Sequence, residues 1–519
     1  MNDTRIDTDS LGAIAVPVEA LWGAQTARSL RFFAIGEQRM PIEVVHALAW
    51  VKWAAACVNR ELLLLPPAVG QAIADAAERV AAGEFDGEFP LSVWQTGSGT
   101  QTHMNVCEVL ASLASRDPQW LRAPRSPNAA APRIDAHDEV NLGQSSNDVF
   151  PTAMHIAVAL QAKSRLLPAL ADLRAQLRAQ ALAFGDLVKV GRTHMQDATP
   201  VTLGQEFTGY EAQLALCEDG LRHALVGVHA LAIGGTAVGN GMNTHPEFGR
   251  RVTKRLATRL DLPLVQATSL LAATAGHDAL VAFHAALRGL AIALTKIGND
   301  IRLMGSGPRA GLGELHLPAN EPGSSIMPGK VNPTQVEALA MVCAQVMGHD
   351  TAIGFAASQG QFELNVFKPL IALDTLDSLR LLADAMRGFG EHCVAGLVAD
   401  AARMRDLLQG SLMLVTALTP HIGYERSAQV AQRAQSWGCT LREAAIALGA
   451  ASGEEFDLWV DPRRMLGPQA APVPAAIAQA STDHDGDSAL LPFRSLLLRR
   501  DNAWPPVPPR LNGHSRSPS

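Results

Sequence analysis

The chain is sparing with several residue types that announce common functions. Its six cysteines, Cys57, Cys107, Cys217, Cys343, Cys393 and Cys439, lie far apart with no Cys-x-x-Cys among them. They read as reduced thiols, so a cytoplasmic location is expected. Basic residues are in the minority, 43 Lys plus Arg against 50 Asp plus Glu, for a net charge of −7. No basic field exists to hold a nucleic-acid backbone, and any anion site must be a local positive pocket. Met1–Ser10 is polar and acidic, unlike a signal or transit peptide. The long uncharged stretch Ala224–Asn243 contains His229 and five glycines, so a buried helix end plus loop is expected there rather than a membrane span.

What is present is apolar and helical. With 519 residues, 48% hydrophobic and 18% charged, the chain falls among globular proteins and is long enough for about three domains at roughly 150 residues each. Leu166, Leu170, Leu173 and Leu177 recur at helical spacing between Thr152 and Phe184, with Pro168 expected to kink the run. Similar Ala/Leu-rich runs at 206–231, 277–304, 334–357 and 369–396 lack the alternation of strands. The spacing predicts an all-α fold with a central long five-helix bundle. The expected divisions are a mainly helical N-terminal domain at 1–141, the bundle at 142–401, a small helical C-terminal domain at 402–468 and a Pro-rich, disordered tail at 469–519. No fixed-period repeat argues for a solenoid.

The unusual polar residues cluster at the joints between the long helices: Gln144–Asp148, Gly191–Thr202 and Gly305–Asn332. The loop Pro318-Ala-Asn-Glu-Pro-Gly-Ser-Ser-Ile-Met-Pro-Gly-Lys-Val-Asn-Pro333 precedes the fourth helix. Its backbone N–H groups, Lys330 and Asn332 can hold a carboxylate and stabilise charge developing on it. It is not a phosphate loop. Five residues separate Gly323 from Gly329-Lys330, and Val331 stands where a magnesium-binding Ser or Thr is needed.

This loop resembles the defining sequence of the fumarase/aspartase superfamily, and Asn320–Thr334 is similar to the class II fumarases in particular. The resemblance runs to about Pro468. It includes Leu21-Trp-Gly-Ala-Gln-Thr-Ala-Arg-Ser29, Trp94-Gln-Thr-Gly-Ser-Gly-Thr-Gln101, Gln144-Ser-Ser-Asn-Asp-Val-Phe-Pro-Thr152 and Gly191-Arg-Thr-His-Met-Gln-Asp-Ala-Thr-Pro200. It implies reversible anti-elimination of water from L-malate to fumarate, a step of the tricarboxylic acid cycle, with neither metal nor organic cofactor. A carbon-bound proton beside a carboxylate is a very weak acid, so an aci-carboxylate must be stabilised while a base removes it. By the same resemblance Ser324 is the base, supported by neighbouring N–H groups and Lys330. Thr193 and His194 bind a carboxylate and handle the departing water, and Glu337 orients the histidine. Ser98, Thr100, Ser145, Ser146, Asn147, Ser325, Lys330 and Asn332 bind the substrate. Ser145, Ser146 and Asn147 also read as a helix N-cap.

A helix from 152 to 184 is roughly 50 Å long at about 1.5 Å per residue, which puts the 145 and 193 loops at opposite ends of it. In an up-down bundle the 193 and 324 loops share one end, so a pocket containing all three motifs needs more than one subunit. That agrees with the homotetramer, its active sites shared by three chains, that the resemblance implies.

The sequence also departs from the family pattern. Asp135-Ala-His-Asp138 replaces a His-Pro-Asn-Asp run, Pro132 replaces an upstream basic residue, and an insertion rich in Pro, Arg and Ala lies within 115–132. The family's second anion site is therefore not expected. His103 stands in place of Asn, and Leu142 in place of Lys. Two other functions compete: an ammonia-lyase acting on aspartate, disfavoured by Thr193-His194, and a weakly catalytic paralogue serving a partner, disfavoured by the intact site set. The tail, with Leu490–Arg500 and Trp504–Arg510, reads as a dispensable extension in preference to a docking peptide.

Overall fold

The computed structural model describes residues 3–122 and 133–468. The expected tail at 469–519, its Leu490–Arg500 and Trp504–Arg510 segments and most of the Pro/Arg/Ala insertion lie outside the described residues.

The N-terminal region opens with an antiparallel hairpin, β1 (Thr4–Asp9) and β2 (Gly12–Pro17). Helices follow it: α1 (Ala24–Phe32), α2 (Ile42–Glu61), α3 (Pro67–Ala81), α4 (Thr100–Ser115) and α5 (Pro118–Arg122). Helix α2 is apolar on nearly every side, from Val44 to Val58. A helix of that kind belongs inside a fold, and it packs against α3 and the helices at Ser146–Gln161 and Phe248–Leu260.

The bundle begins with α6 (Ser146–Gln161), which passes through a π-turn at Ala162–Leu166 into α7 (Leu167–Ala183). Helix α6 starts at Ser146, ahead of the expected 152. Pro151 lies inside it, and the Ser145 capping box fixes the earlier start. The expected break at Pro168 takes the form of the π-turn: proline offers no N–H to the regular ladder, and the widened turn precedes it. The hairpin β3 (Val188–Thr193) and β4 (Gln196–Thr202) then leads into α8 (Leu203–Val228). A short parallel pair, β5 (Ala230–Leu231) with β6 (Val265–Gln266), brackets α9 (Phe248–Leu260). After α10 (Leu270–Ala275) come α11 (Asp278–Met304), α12 (Thr334–Ala357) and α13 (Lys368–His392). The pair β7 (Leu315–His316) and β8 (Val398–Ala399) is antiparallel. The segment Ala224–Asn243 is, as expected, a helix end followed by turns.

The long helices alternate in direction and share one apolar core, which extends from Leu21 to Met404. Helix α11 is apolar and long enough to cross a membrane, and half of its most apolar stretch is buried within this bundle. A second core, built from Leu408, Leu418, Val430, Ala434, Ala445 and Phe456 with Val190, belongs to α14 (Ala401–Gly410), the 3-10 segment Leu412–Leu418, α15 (Thr419–Ile422), α16 (Tyr424–Trp437), α17 (Leu441–Ala447) and α18 (Gly453–Trp459). The fold is all-α in class, with small two-stranded sheets at its joints.

Candidate active site

One group of expected site residues lies where α4 and α6 begin. In the loop Trp94–Thr100, a Cβ at Gly97 would sit 1.3 Å from the Val366 carbonyl oxygen. The Lys368 N–H also donates to the Gly97 carbonyl at 3.0 Å. Gly99 has φ +76°, and a Cβ there would meet the Phe150 ring at 2.4 Å. Both positions therefore require glycine. Gln95 accepts from the Thr102 N–H and hydroxyl, both at 2.9 Å, which fixes the loop onto α4. The Ser98 and Thr100 hydroxyls are left 2.8 Å apart beside the helix N-terminus.

At α6, the Ser145 hydroxyl accepts from the Asn147 N–H at 3.3 Å, and the Asp148 carboxylate accepts from the Ser145 N–H at 3.0 Å. The other Asp148 oxygen takes the N–H groups of Gly234 and Thr236 at 2.9 and 3.0 Å. Asp148 is wholly buried, and burial pushes its carboxyl up against those three donors and Lys52. The Asn147 amide donates to the Ala237 carbonyl at 2.8 Å. Ser146 meets His103 Nδ1 at 2.7 Å. Below them the buried Lys52 ammonium donates to Asn141 at 2.8 Å and Gln144 at 3.0 Å, and burial holds its pKa below the ordinary lysine value. A helix N-terminus with a lysine beneath it makes a local positive site in an acidic protein.

The other group lies at the far end of the bundle. Thr193 pairs with Gln196, so His194 and Met195 fill a two-residue turn, with φ of 55° and 61°. Asn-Gly is the usual occupant of such a turn, and two side-chain-bearing residues there cost roughly 1–2 kcal/mol each. The base of the hairpin opposes that strain. Lys189 reaches Glu206 at 2.9 Å and Glu314 at 3.2 Å, and Arg192 grips Glu314 at 2.9 and 3.0 Å. Glu314 and Lys189 are both buried, and burial raises the Glu206 carboxyl's pKa despite Lys189. At the bulge beside Gly191, a Cβ would approach the Thr199 carbonyl oxygen to 2.4 Å.

The Ser324 hydroxyl oxygen accepts two backbone N–H groups, from Met327 at 3.0 Å and Ile326 at 3.3 Å. The loop is closed by the Gly323 N–H on the Lys330 carbonyl at 3.1 Å and by the Asn332 amide on the Gly323 carbonyl. Ser325 and Lys330 are exposed, as is Glu337 in the first turn of α12. Among the described residues Lys330 makes no side-chain hydrogen bond to Ser324, and Glu337 makes none to His194.

Within one chain the expected site residues thus form two sets. Ser98, Thr100, Ser145, Ser146 and Asn147 lie at one end, while Thr193, His194, Ser324, Ser325, Lys330, Asn332 and Glu337 lie at the other. Helix α11, with 27 residues, spans the distance between them, about 40 Å.

The matches to known proteins bear on this arrangement. A family model described as Lyase matches residues 12–348, and one described as Fumarase C C-terminus matches 414–467. The class II fumarate hydratase of Chromobacterium violaceum is 58% identical over 462 residues, covering 89% of this chain and 99% of that protein. The chain belongs to the class II fumarases. The class II fumarate hydratase of Thermosynechococcus vestitus is 54% identical, covering 90% of this chain and 98% of its own. The crystal structure of class II fumarase from Schistosoma mansoni superimposes with a TM-score of 0.86 at 45% identity, covering 89% of this chain and 99% of that one.

Several residues that support these two sets are not singled out by motif reading. Asp148 lies inside the Gln144–Thr152 string, whereas Lys52, Lys189, Glu206 and Glu314, which also hold the two sets in place, fall outside every such string. Lys52 did carry a signal, as a lysine within the apolar run of α2. The altered run at Asp135 forms a turn, in which the Asp135 carboxylate accepts the N–H groups of His137 at 2.7 Å and Asp138 at 3.0 Å. It borders a cavity of about 1100 Å³ under the β1–β2 hairpin, lined by both acidic and basic residues and by none of the expected site residues.

Proposed function

We propose that the chain catalyses the reversible anti-addition of water to fumarate, giving L-malate, in a homotetramer that brings opposite bundle ends of different subunits into one pocket. The observation that carries the catalytic assignment is the Ser324 oxygen. It accepts two backbone N–H groups, the arrangement that favours a serine alkoxide over the neutral hydroxyl. In the malate direction Ser324 takes the proton from the carbon beside a carboxylate, and the electron pair passes into that carboxylate. Lys330 and Asn332 face the resulting aci-carboxylate. Collapse of this intermediate expels the hydroxyl group, which leaves as water with a proton delivered at His194, held by Thr193 and oriented by Glu337. Ser98, Thr100, Ser145, Ser146 and Asn147 bind the carboxylates above the N-terminus of α6, and no step calls on a metal or organic cofactor.

The separation of the two residue sets supports shared sites. So do the exposed apolar residues Leu216 and Val226 on α8, Ile292 on α11, and Met341 and Phe355 on α12, which offer apolar surface to other subunits. Six unpaired cysteines fit a cytoplasmic enzyme.

The test is ultraviolet absorbance of the conjugated double bond with L-malate, with L-aspartate in a parallel cuvette and Ser324→Ala as control. Absorbance rising with malate alone, and lost in the variant, is expected. Deamination of aspartate would replace the hydratase reading with an ammonia-lyase, and near-wild-type turnover by Ser324→Ala would remove Ser324 as the base.

A further inference from the structure

Beside the N-terminus of α6 runs a chain of three polar side chains, two of which the reaction above leaves unused. His103 and Cys107 sit one turn apart on α4, the spacing that stacks side chains on one helix face. Cys107 Sγ lies 3.6 Å from His103 Nε2, and His103 Nδ1 lies 2.7 Å from Ser146 Oγ. His103 and Cys107 are completely buried, while Ser146 remains partly open to solvent.

The directions of these two hydrogen bonds are coupled. A serine hydroxyl has one proton, and a neutral imidazole has one N–H. With the imidazole proton on Nε2, Ser146 must donate to Nδ1 and shows an incoming carboxylate only lone pairs. With the proton on Nδ1, the ring donates to Ser146 Oγ, and the serine O–H is free to donate outward. Nε2 is then a bare acceptor that needs a donor, and the Cys107 S–H is within reach. Burial keeps the imidazole neutral, with its pKa well below the ordinary value; the charges of Lys52 and His137 act in the same direction, and hydrogen bonding to the Asn141 side chain opposes them without reversing the shift. Burial likewise keeps the Cys107 thiol protonated, outweighing the charge of Lys52 and its hydrogen bonding to the sulfur, in which the ammonium is the donor and leaves the S–H free to donate.

We infer that His103 and Cys107 are positioning residues for the dicarboxylate site: the Cys107 thiol donates to His103 Nε2, the ring proton is thereby held on Nδ1, and Ser146 is left with its hydroxyl proton aimed at a substrate carboxylate. This inference rests on the proposal that Ser146 is a carboxylate ligand.

The test is a double-mutant cycle on the full-length protein, read as kcat/KM for malate and fumarate. Cys107→Ala removes the donor to Nε2 and is expected to lower kcat/KM about five- to tenfold, the scale of one weakened hydrogen bond to a charged group. Cys107→Ser restores an O–H donor and returns the value to within about threefold of wild type. In a Ser146→Ala background, Cys107→Ala changes kcat/KM less than about twofold, because the relay has lost its last member. Should Cys107→Ala fail to fold, Cys107→Val fills the space without a donor, and circular dichroism and oligomer size confirm that each variant is native. Wild-type kcat/KM in Cys107→Ala, an equal loss with and without Ser146, or a folded Cys107→Ser with no rescue would each overturn the relay while leaving the hydratase reaction standing. A wild-type protein with no turnover of either substrate overturns the reaction itself, and this inference with it.

Discussion

Arg192 holds Glu314 through two parallel hydrogen bonds of 2.9 and 3.0 Å, joining the hairpin that ends in Thr193 and His194 to the segment that leads into the Ser324 loop. Glu314 is fully buried and is shared with the equally buried Lys189. Two chemically distinct motifs, far apart in sequence, are therefore positioned by one carboxylate.

Removing that carboxylate leaves Lys189 and Arg192 underpaired. Glu314→Ala is expected to destabilise the protein by about 3–5 kcal/mol, the cost of breaking a buried ion pair from one side. Denaturant unfolding measures it. Variants that remain folded should lose turnover out of proportion to their loss of stability, since both His194 and Ser324 lose a shared anchor.

The turn bearing His194 carries strain that a single substitution relieves. Met195 has φ 61° and is largely exposed, so Met195→Gly is expected to stabilise the chain by roughly 1 kcal/mol. Unfolding midpoints of the two proteins decide it, and an unchanged or lower midpoint would mean that Met195 makes contacts in the assembly that outweigh its backbone strain.

Acid sensitivity has an identifiable contributor in His155. Its Nδ1 lies 2.8 Å from the Val228 carbonyl, and burial lowers its pKa from 6.5 to about 4. Between those values the unfolded chain takes up a proton that the folded protein refuses. This group's contribution to stability is thus present above pH 6.5 and lost as pH falls toward 4, by about 3 kcal/mol in all. His155→Asn keeps a donor for Val228 and removes the titration. Stability of wild type relative to the variant, measured from pH 7 to pH 4, should fall by that amount, and parallel curves would contradict the assignment.

The sequence revealed most where chemistry and periodicity coincide. The long helices were legible from Ala/Leu spacing, and the Ser324 loop from its composition of Pro, Gly, Ser and Lys. Apolar spacing alone starts helix α6 at Thr152, six residues late, whereas the Ser145 cap and the buried Asp148, anchored by three N–H groups, carry the helix through Pro151. In the sequence the β3–β4 hairpin is legible only as a joint, since His194-Met195 lacks the Gly or Asn that marks such turns. Glu314 lies in the polar joint Gly305–Asn332, but nothing local singles it out there. Its importance comes from Lys189 and Arg192, which only folding brings to it.

The sets around Asn147 and Ser324, held at opposite ends of one chain, are proposed to act in one pocket formed between subunits. The most direct measurement mixes two variants, Asn147→Ala and Ser324→Ala, each inactive alone, by joint denaturation and refolding. Random assembly places an intact Asn147 and an intact Ser324 in the same pocket in about a quarter of the sites of a symmetric oligomer. Fumarate hydration should therefore reappear in the mixture at up to about that fraction of wild-type activity. A mixture as inactive as its parents, with hybrid oligomers shown to have formed, would contradict the claim.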